Sequence, residues 1–231
     1  MALATKVSQA TMAWNHASTP GMKADMQLLG KGGTKGRPAV HYAVKVSGTA
    51  VDRRQQYSLI AWPIVFREPA TMMEGLEIGP DGTVFCPADA TLSCAQNFKG
   101  KSLVLSYMPS KGEIFRHALI SDDHKSRVFF SIVPDPILYS DKGCSLEAVR
   151  LSPAFELVLI RGKGFQPAEP LSFHSQSYQE VHDLPVTADA EGQFQANFTP
   201  FVKARTAGTS EVAVKGKNCS PSLSFDWGAA P

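Results

Sequence analysis

Apolar residues in this chain recur mainly at every second position, in short runs broken by turn residues, and a sustained helical spacing is hard to find. That period restricts the chain to strands, because successive strand side chains point to opposite faces of a sheet. Ala39–Gly48, Gln56–Phe66 (bent at Pro63) and Ser102–Met108 read as strands rich in β-branched and aromatic residues. Glu113–Ile120 and Arg127–Val133 flank the polar stretch Ser121–Ser126 and predict a hairpin, and Gly79–Gly82 predicts a turn.

Two prolines in Val133–Ile137 end a strand, and Asp141–Gly143 then reads as a linker. After it the pattern restarts, with strands predicted at Ser145–Leu151, Ala154–Ile160, Pro170–His174, Asp183–Ala188, Gln193–Phe198, Ser210–Val214 and Ser222–Trp227. Closely spaced short strands with turn signals between them predict a β-sandwich. The expected fold class is therefore all-β, with two consecutive β-sandwich domains, which the resemblance described below makes Ig-like. The first spans 1–143, with 1–38 as an extended arm or its first strands. The second spans 144–231.

Four cysteines partition two to each half: Cys86 with Cys94, and Cys144 with Cys219. An even, local partition predicts two disulfides and an oxidising compartment; buried free thiols are the other reading. A zinc site needs closer Cys pairs than these. Residues 1–20 lack the apolar core of a signal peptide, so the export reading presumes that one was removed. No apolar run approaches a membrane span. The formal charge of +2, with no long basic run, gives no support for nucleic acid as a partner.

From Leu157 onward the chain resembles bacterial extracellular Ig-like domains of the IPT/TIG kind. The carriers are Ile160-Arg-Gly-Lys-Gly-Phe-Gln-Pro167, then Ala188-Asp-Ala-Glu-Gly-Gln-Phe194, then Gly208–Val214. The resemblance implies a strand running into a glycine turn, with Phe165 plugging the sandwich end and a later hairpin placing Phe194 in the core. It carries little about function, because such modules serve many roles.

Candidate chemistry is sparse. Gly30–Gly36 lacks the phosphate-loop pattern and reads as a solvated loop, flexible or the turn of a hairpin. His174, His182 and Asp183 sit in the densest polar stretch and are the weak metal candidates, although the segment most simply forms an exposed loop. Asp122, Asp123 and His124 read as a hairpin tip. Trp62, Phe129 and Tyr178 are the weak ligand-binding candidates among aromatics that more often fill cores. Phe129 and Phe130 must face opposite sides of a strand, so one of them is expected to be exposed or buried at an inter-domain seam, the best hint of an interface in the sequence. No catalytic residue, metal or cofactor is assigned. The expectation is a non-catalytic, secreted, extracellular or periplasmic interaction module. Its partners are proteins or glycans at the cell surface, with self-association through edge strands or residues 1–38 left open. A carbohydrate-binding protein is the alternative, and a β-sandwich hydrolase comes third.

Overall fold

In the stretch Val40–Val46, Val40, Tyr42, Val44 and Val46 are all buried and their neighbours are not, so the period-two reading holds residue by residue. A computed structural model of the chain describes residues 18–34, 37–62, 68–152 and 157–228. The remaining parts of 1–38, and residues 63–67 around the expected bend at Pro63, lie outside the described residues.

Contact clustering divides the chain into two compact units. The N-terminal unit holds the described residues up to Pro109 together with Phe115–Pro134. The C-terminal unit holds Ser110–Ile114 and Asp135 onward. The division falls at Pro134, and Asp141–Gly143 is the turn of a hairpin inside the C-terminal unit.

The N-terminal unit contains β1 (Lys23–Thr34), β2 (Arg37–Ser47), β3 (Tyr57–Ala61), β4 (Ala70–Ile78), β5 (Val84–Phe85), a one-turn helix α1 (Ala95–Phe98), β6 (Val104–Tyr107), β7 (Phe115–Ser121) and β8 (Arg127–Ile132). One sheet runs β1-β2-β6 and the other β5-β4-β3-β7-β8, with antiparallel pairing throughout. The stretch Gly30–Thr34 belongs to β1 and pairs with β2, which corrects its reading as a solvated loop. Cross-strand main-chain bonds hold this glycine-rich segment in place of packed side chains, a contribution that side-chain pattern does not report.

The C-terminal unit contains β9 (Ile137–Asp141), β10 (Cys144–Ser152), β11 (Leu157–Lys163), β12 (Pro170–Ser177), β13 (Glu180–Thr187), β14 (Phe194–Phe198), β15 (Ala207–Lys215) and β16 (Ser222–Gly228). Its sheets run β14-β11-β10-β9 and β13-β12-β15-β16. Setting β5 and β9 aside, the two units share one strand order. In each, strands one, two and five form one sheet, and strands four, three, six and seven form the other. This is an immunoglobulin-like sandwich order, present twice.

Each unit has its own core. Both disulfides are formed, Cys86–Cys94 and Cys144–Cys219. In the C-terminal unit the glycine turn works by close approach and by backbone conformation. A Cβ on Gly162 would overlap the ring of Phe194. Gly164 has φ +87°, in the left-handed region that glycine occupies most easily. Phe165 packs on Phe194 with ring centroids 5.6 Å apart. Asp189 Oδ1 accepts from Glu191 N (3.0 Å) and Gln193 N (2.8 Å), fixing the hairpin that presents Phe194. Glu169, nearly buried, accepts from Gln166 N (3.0 Å) and from Lys217 N, tying two loops to one carboxylate.

Candidate interaction surface

The stretch His174–Asp183 is a tight hairpin, not the exposed loop expected from its polarity. Register pairs Ser177 with Glu180 and leaves only Tyr178–Gln179 in the turn. Ser175 and Ser177 continue the inward alternation of Leu171 and Phe173, and both are buried. A buried hydroxyl needs a partner, and Ser177 Oγ accepts from Trp227 Nε1 at 3.0 Å. That bond across the unit is what lets a serine stand at a core position.

Tyr178 has φ 53°, a left-handed conformation unfavourable to a residue with a bulky side chain. Its ring is nevertheless held firmly. The hydroxyl donates to Ala207 O at 2.7 Å, Arg205 lies 4.8 Å from the ring centroid, and Trp227 meets it edge-on at 6.3 Å. Gly208 runs beneath both rings, where any Cβ would collide with Tyr178 and Trp227. On the other side Phe201 meets Trp227 edge-on at 6.1 Å. Trp227 is only 3% exposed and forms a floor, while Tyr178 (44%) and Phe201 (54%) stand open to solvent. Arg205 forms no ion pair among the described residues. A narrow crevice beside Phe201, lined by Ser175, Ser177, Glu180, His182 and Phe198, has a volume of about 10 Å³, room for a single water molecule.

The three metal candidates do not converge. His174 Nδ1 and Asp183 Oδ1 are 2.8 Å apart as a directly opposed cross-strand pair. His182, one residue from Asp183, points to the opposite face, where it opposes Ser175. Among the described residues no group of three His, Cys, Asp or Glu side chains could hold a metal ion. Ser175, His182 and Glu180 share a face, but no hydrogen bond among the described residues links them, so no base is set against a nucleophile.

The other two aromatic candidates lie in the N-terminal unit. Trp62 is partly buried and packs edge-on against Phe129 at 5.7 Å, with Ala118, Ile60 and Ile120 in the same small cluster. Phe130 faces the main core. Phe129 and Phe130 thus take opposite faces as expected, and both are buried. The Asp122–His124 tip is a turn in which Asp123 Oδ1 accepts from Ser121 Oγ (2.7 Å) and Lys125 N (3.1 Å); these bonds hold its carboxyl below the usual range.

Sequence reasoning missed His117, Phe201 and Arg205. His117 is 4% exposed and its Nε2 lies 2.8 Å from the Tyr107 hydroxyl, among Tyr107 and Phe130 rings. Burial pushes its imidazole down to about 4. Burial likewise raises Tyr107 and lowers Arg116 to about 10. The signal for His117 was present, since Phe115, His117 and Leu119 fall on one strand face. Phe201 and Arg205 lie between strands, where periodicity is silent.

No family model matches the chain, and no curated protein does. Among solved structures it is similar to a tetra-tandem repeat in the extending region of a large adhesion protein, at 13% identity and a TM-score of 0.28, covering 93% of this chain and 50% of that one. It is also similar to the FN1–FN3 domains of chicken CNTN1, at 9% identity and a TM-score of 0.25, covering 92% of this chain and 69% of that one. The chain thus spans half the length of the adhesion-protein fragment. At these scores the likenesses bear on neither fold nor function. No helix among the described residues is long and apolar enough to cross a membrane.

Proposed function

We propose that this chain is a non-catalytic protein-interaction module of the extracellular or periplasmic space, and that it binds through the aromatic end of its C-terminal unit. The observation that carries this reading is Tyr178, a bulky residue kept in a left-handed turn and open to solvent by three contacts. Backbone strain persists where the surroundings over-determine it, often at functional positions. Tyr, Trp and Arg are the residue types that dominate protein-binding hot spots, and here they meet around an exposed Phe. Two disulfides support an oxidising compartment. The IPT/TIG-like reading of the C-terminal unit, which would imply a bacterial cell-surface setting, is supported in its fold by the Gly162, Gly164 and Phe194 geometry.

The test is a paired screen of the immobilised full chain against an array of extracellular proteins and an array of glycans. Retention of defined proteins, weakened about 30-fold by Phe201→Ser, is the expected result, since hot-spot truncation costs about 2 kcal/mol. Retention of glycans alone, lost in Tyr178→Ala, would replace this reading with a carbohydrate-binding one.

A further inference from the structure

We propose that the aromatic end of the C-terminal unit takes an extended segment of a partner protein by one acidic side chain seated on Arg205, with a nearby apolar side chain of the same segment lying on Phe201. This rests on the interaction reading above and adds the chemistry of the occupant.

Two separate turns converge on Arg205. Tyr178 at φ 53° and Ala204 at φ 65° are both left-handed, although neither is glycine or asparagine. Tyr178 lies between β12 and β13. Ala204 lies in the connection from β14 to β15, in a turn closed by Arg205 N donating to Val202 O at 3.1 Å. Together they bring the guanidinium over the Tyr178 ring, with Cζ 4.8 Å from its centroid. The core gains nothing from this arrangement, because Arg205 is exposed and belongs to neither core cluster. It forms no ion pair among the described residues. Strain of this kind concentrates at binding positions.

A guanidinium stacked on a ring has given up part of its freedom before any partner arrives. Its in-plane N–H edge stays available, and a carboxylate matches that edge with two parallel hydrogen bonds. The local charge selects one carboxylate over a polyanion. From Phe201 to Thr209 the only charged residues are Lys203 and Arg205, and Lys203 is also exposed and without an ion pair among the described residues. Glu180 lines the crevice beside Phe201, which neither Tyr178 nor Arg205 lines. A sulfated glycan or an acidic run needs a larger basic patch than two cations, and would set further negative charge against Glu180.

Phe201 supplies the apolar half of the site. Tyr178 and Phe201 stand on either side of Trp227, with ring centroids 6.3 and 6.1 Å from it. An extended chain advances about 3.3 Å per residue, so side chains roughly two to four positions apart reach both.

The experiment selects displayed random decapeptides on the immobilised full chain, then measures a synthetic copy of the most enriched peptide on Arg205→Gln and Arg205→Lys. Enriched peptides should carry one Asp or Glu with an aromatic or branched apolar residue about two to four positions away. Arg205→Gln should weaken binding about tenfold or more, and Arg205→Lys by less, with amide exchange in β15 and β16 unchanged in both. Salt at about 0.5 M should weaken the unaltered chain but not Arg205→Gln. Enriched peptides that lack an acidic residue, or that bind Arg205→Gln equally well, overturn this inference; if Phe201→Ser still weakens them, the interaction reading stands without it. Enriched acidic runs overturn it in favour of a general anion site. A library that yields no enriched peptide also overturns it, and the protein and glycan arrays then decide the interaction reading separately.

Discussion

Acidification from pH 7 to pH 5 should loosen the N-terminal unit, and His117 is the reason. Its imidazole is buried, faces Tyr107 and Phe130, and is pushed down to about 4. In the unfolded chain it titrates near its ordinary value of about 6.5. Between those two values the unfolded state holds the extra proton, so stability falls as pH falls; above about 6.5 there is no effect. A tenfold difference in proton affinity is worth about 1.4 kcal/mol. The loss is therefore about 2 kcal/mol between pH 7 and pH 5, and about 3 kcal/mol by pH 4. Asp52, Asp81 and Asp123 are held below their usual range by hydrogen bonds, so their contribution is lost only below about 3.8 and does not overlap. The assay is hydrogen exchange read on peptides covering β7, with β15–β16 peptides as an internal control. In the unaltered chain β7 exchange should accelerate roughly 20- to 30-fold from pH 7 to pH 5, after correction for intrinsic rates. In His117→Gln, which keeps a side-chain donor but does not titrate, it should not. Equal acceleration in both proteins, or an imidazole titrating near 6.5 by NMR, would refute the reasoning.

Removing the Cys144–Cys219 bridge with paired alanines should cost the C-terminal unit about 4 kcal/mol, because it closes a separation of 75 residues. The Cys86–Cys94 pair, separated by 8, should cost about 2.5 kcal/mol; urea denaturation of each variant without reductant checks both. Gly162→Ala should destabilise by about 2 kcal/mol through overlap with Phe194, read as a lowered Tm, and a loss under 0.5 kcal/mol would contradict the packing. Tyr178→Gly removes the backbone strain together with the Ala207 bond and the Trp227 contact. Its stability should therefore change by less than about 1 kcal/mol, whereas Tyr178→Ala, which keeps the strain, should lose more.

Much of this fold was legible without coordinates. The strands from Val40 to Val46 and from Leu223 to Trp227 follow from alternation, and the glycine turn at Gly162–Gly164 follows from residues that tolerate close approach and left-handed backbone. The cysteine pairs were readable because each lies within one half of the chain. What failed did so for one reason. Ser175 and Ser177 looked like loop residues because the group that satisfies Ser177 is Trp227, fifty residues away. Asp141–Gly143 looked like a linker because the pairing of β9 with β10, which makes it a hairpin turn, does not show in its own composition. The aromatic surface arises in the same way: Tyr178 comes from the turn between β12 and β13, and Phe201 and Arg205 come from the connection between β14 and β15. Side-chain period is a local property and therefore written in the sequence. Register, and which edges remain open, depend on partners distant along the chain, and only tertiary structure decides them.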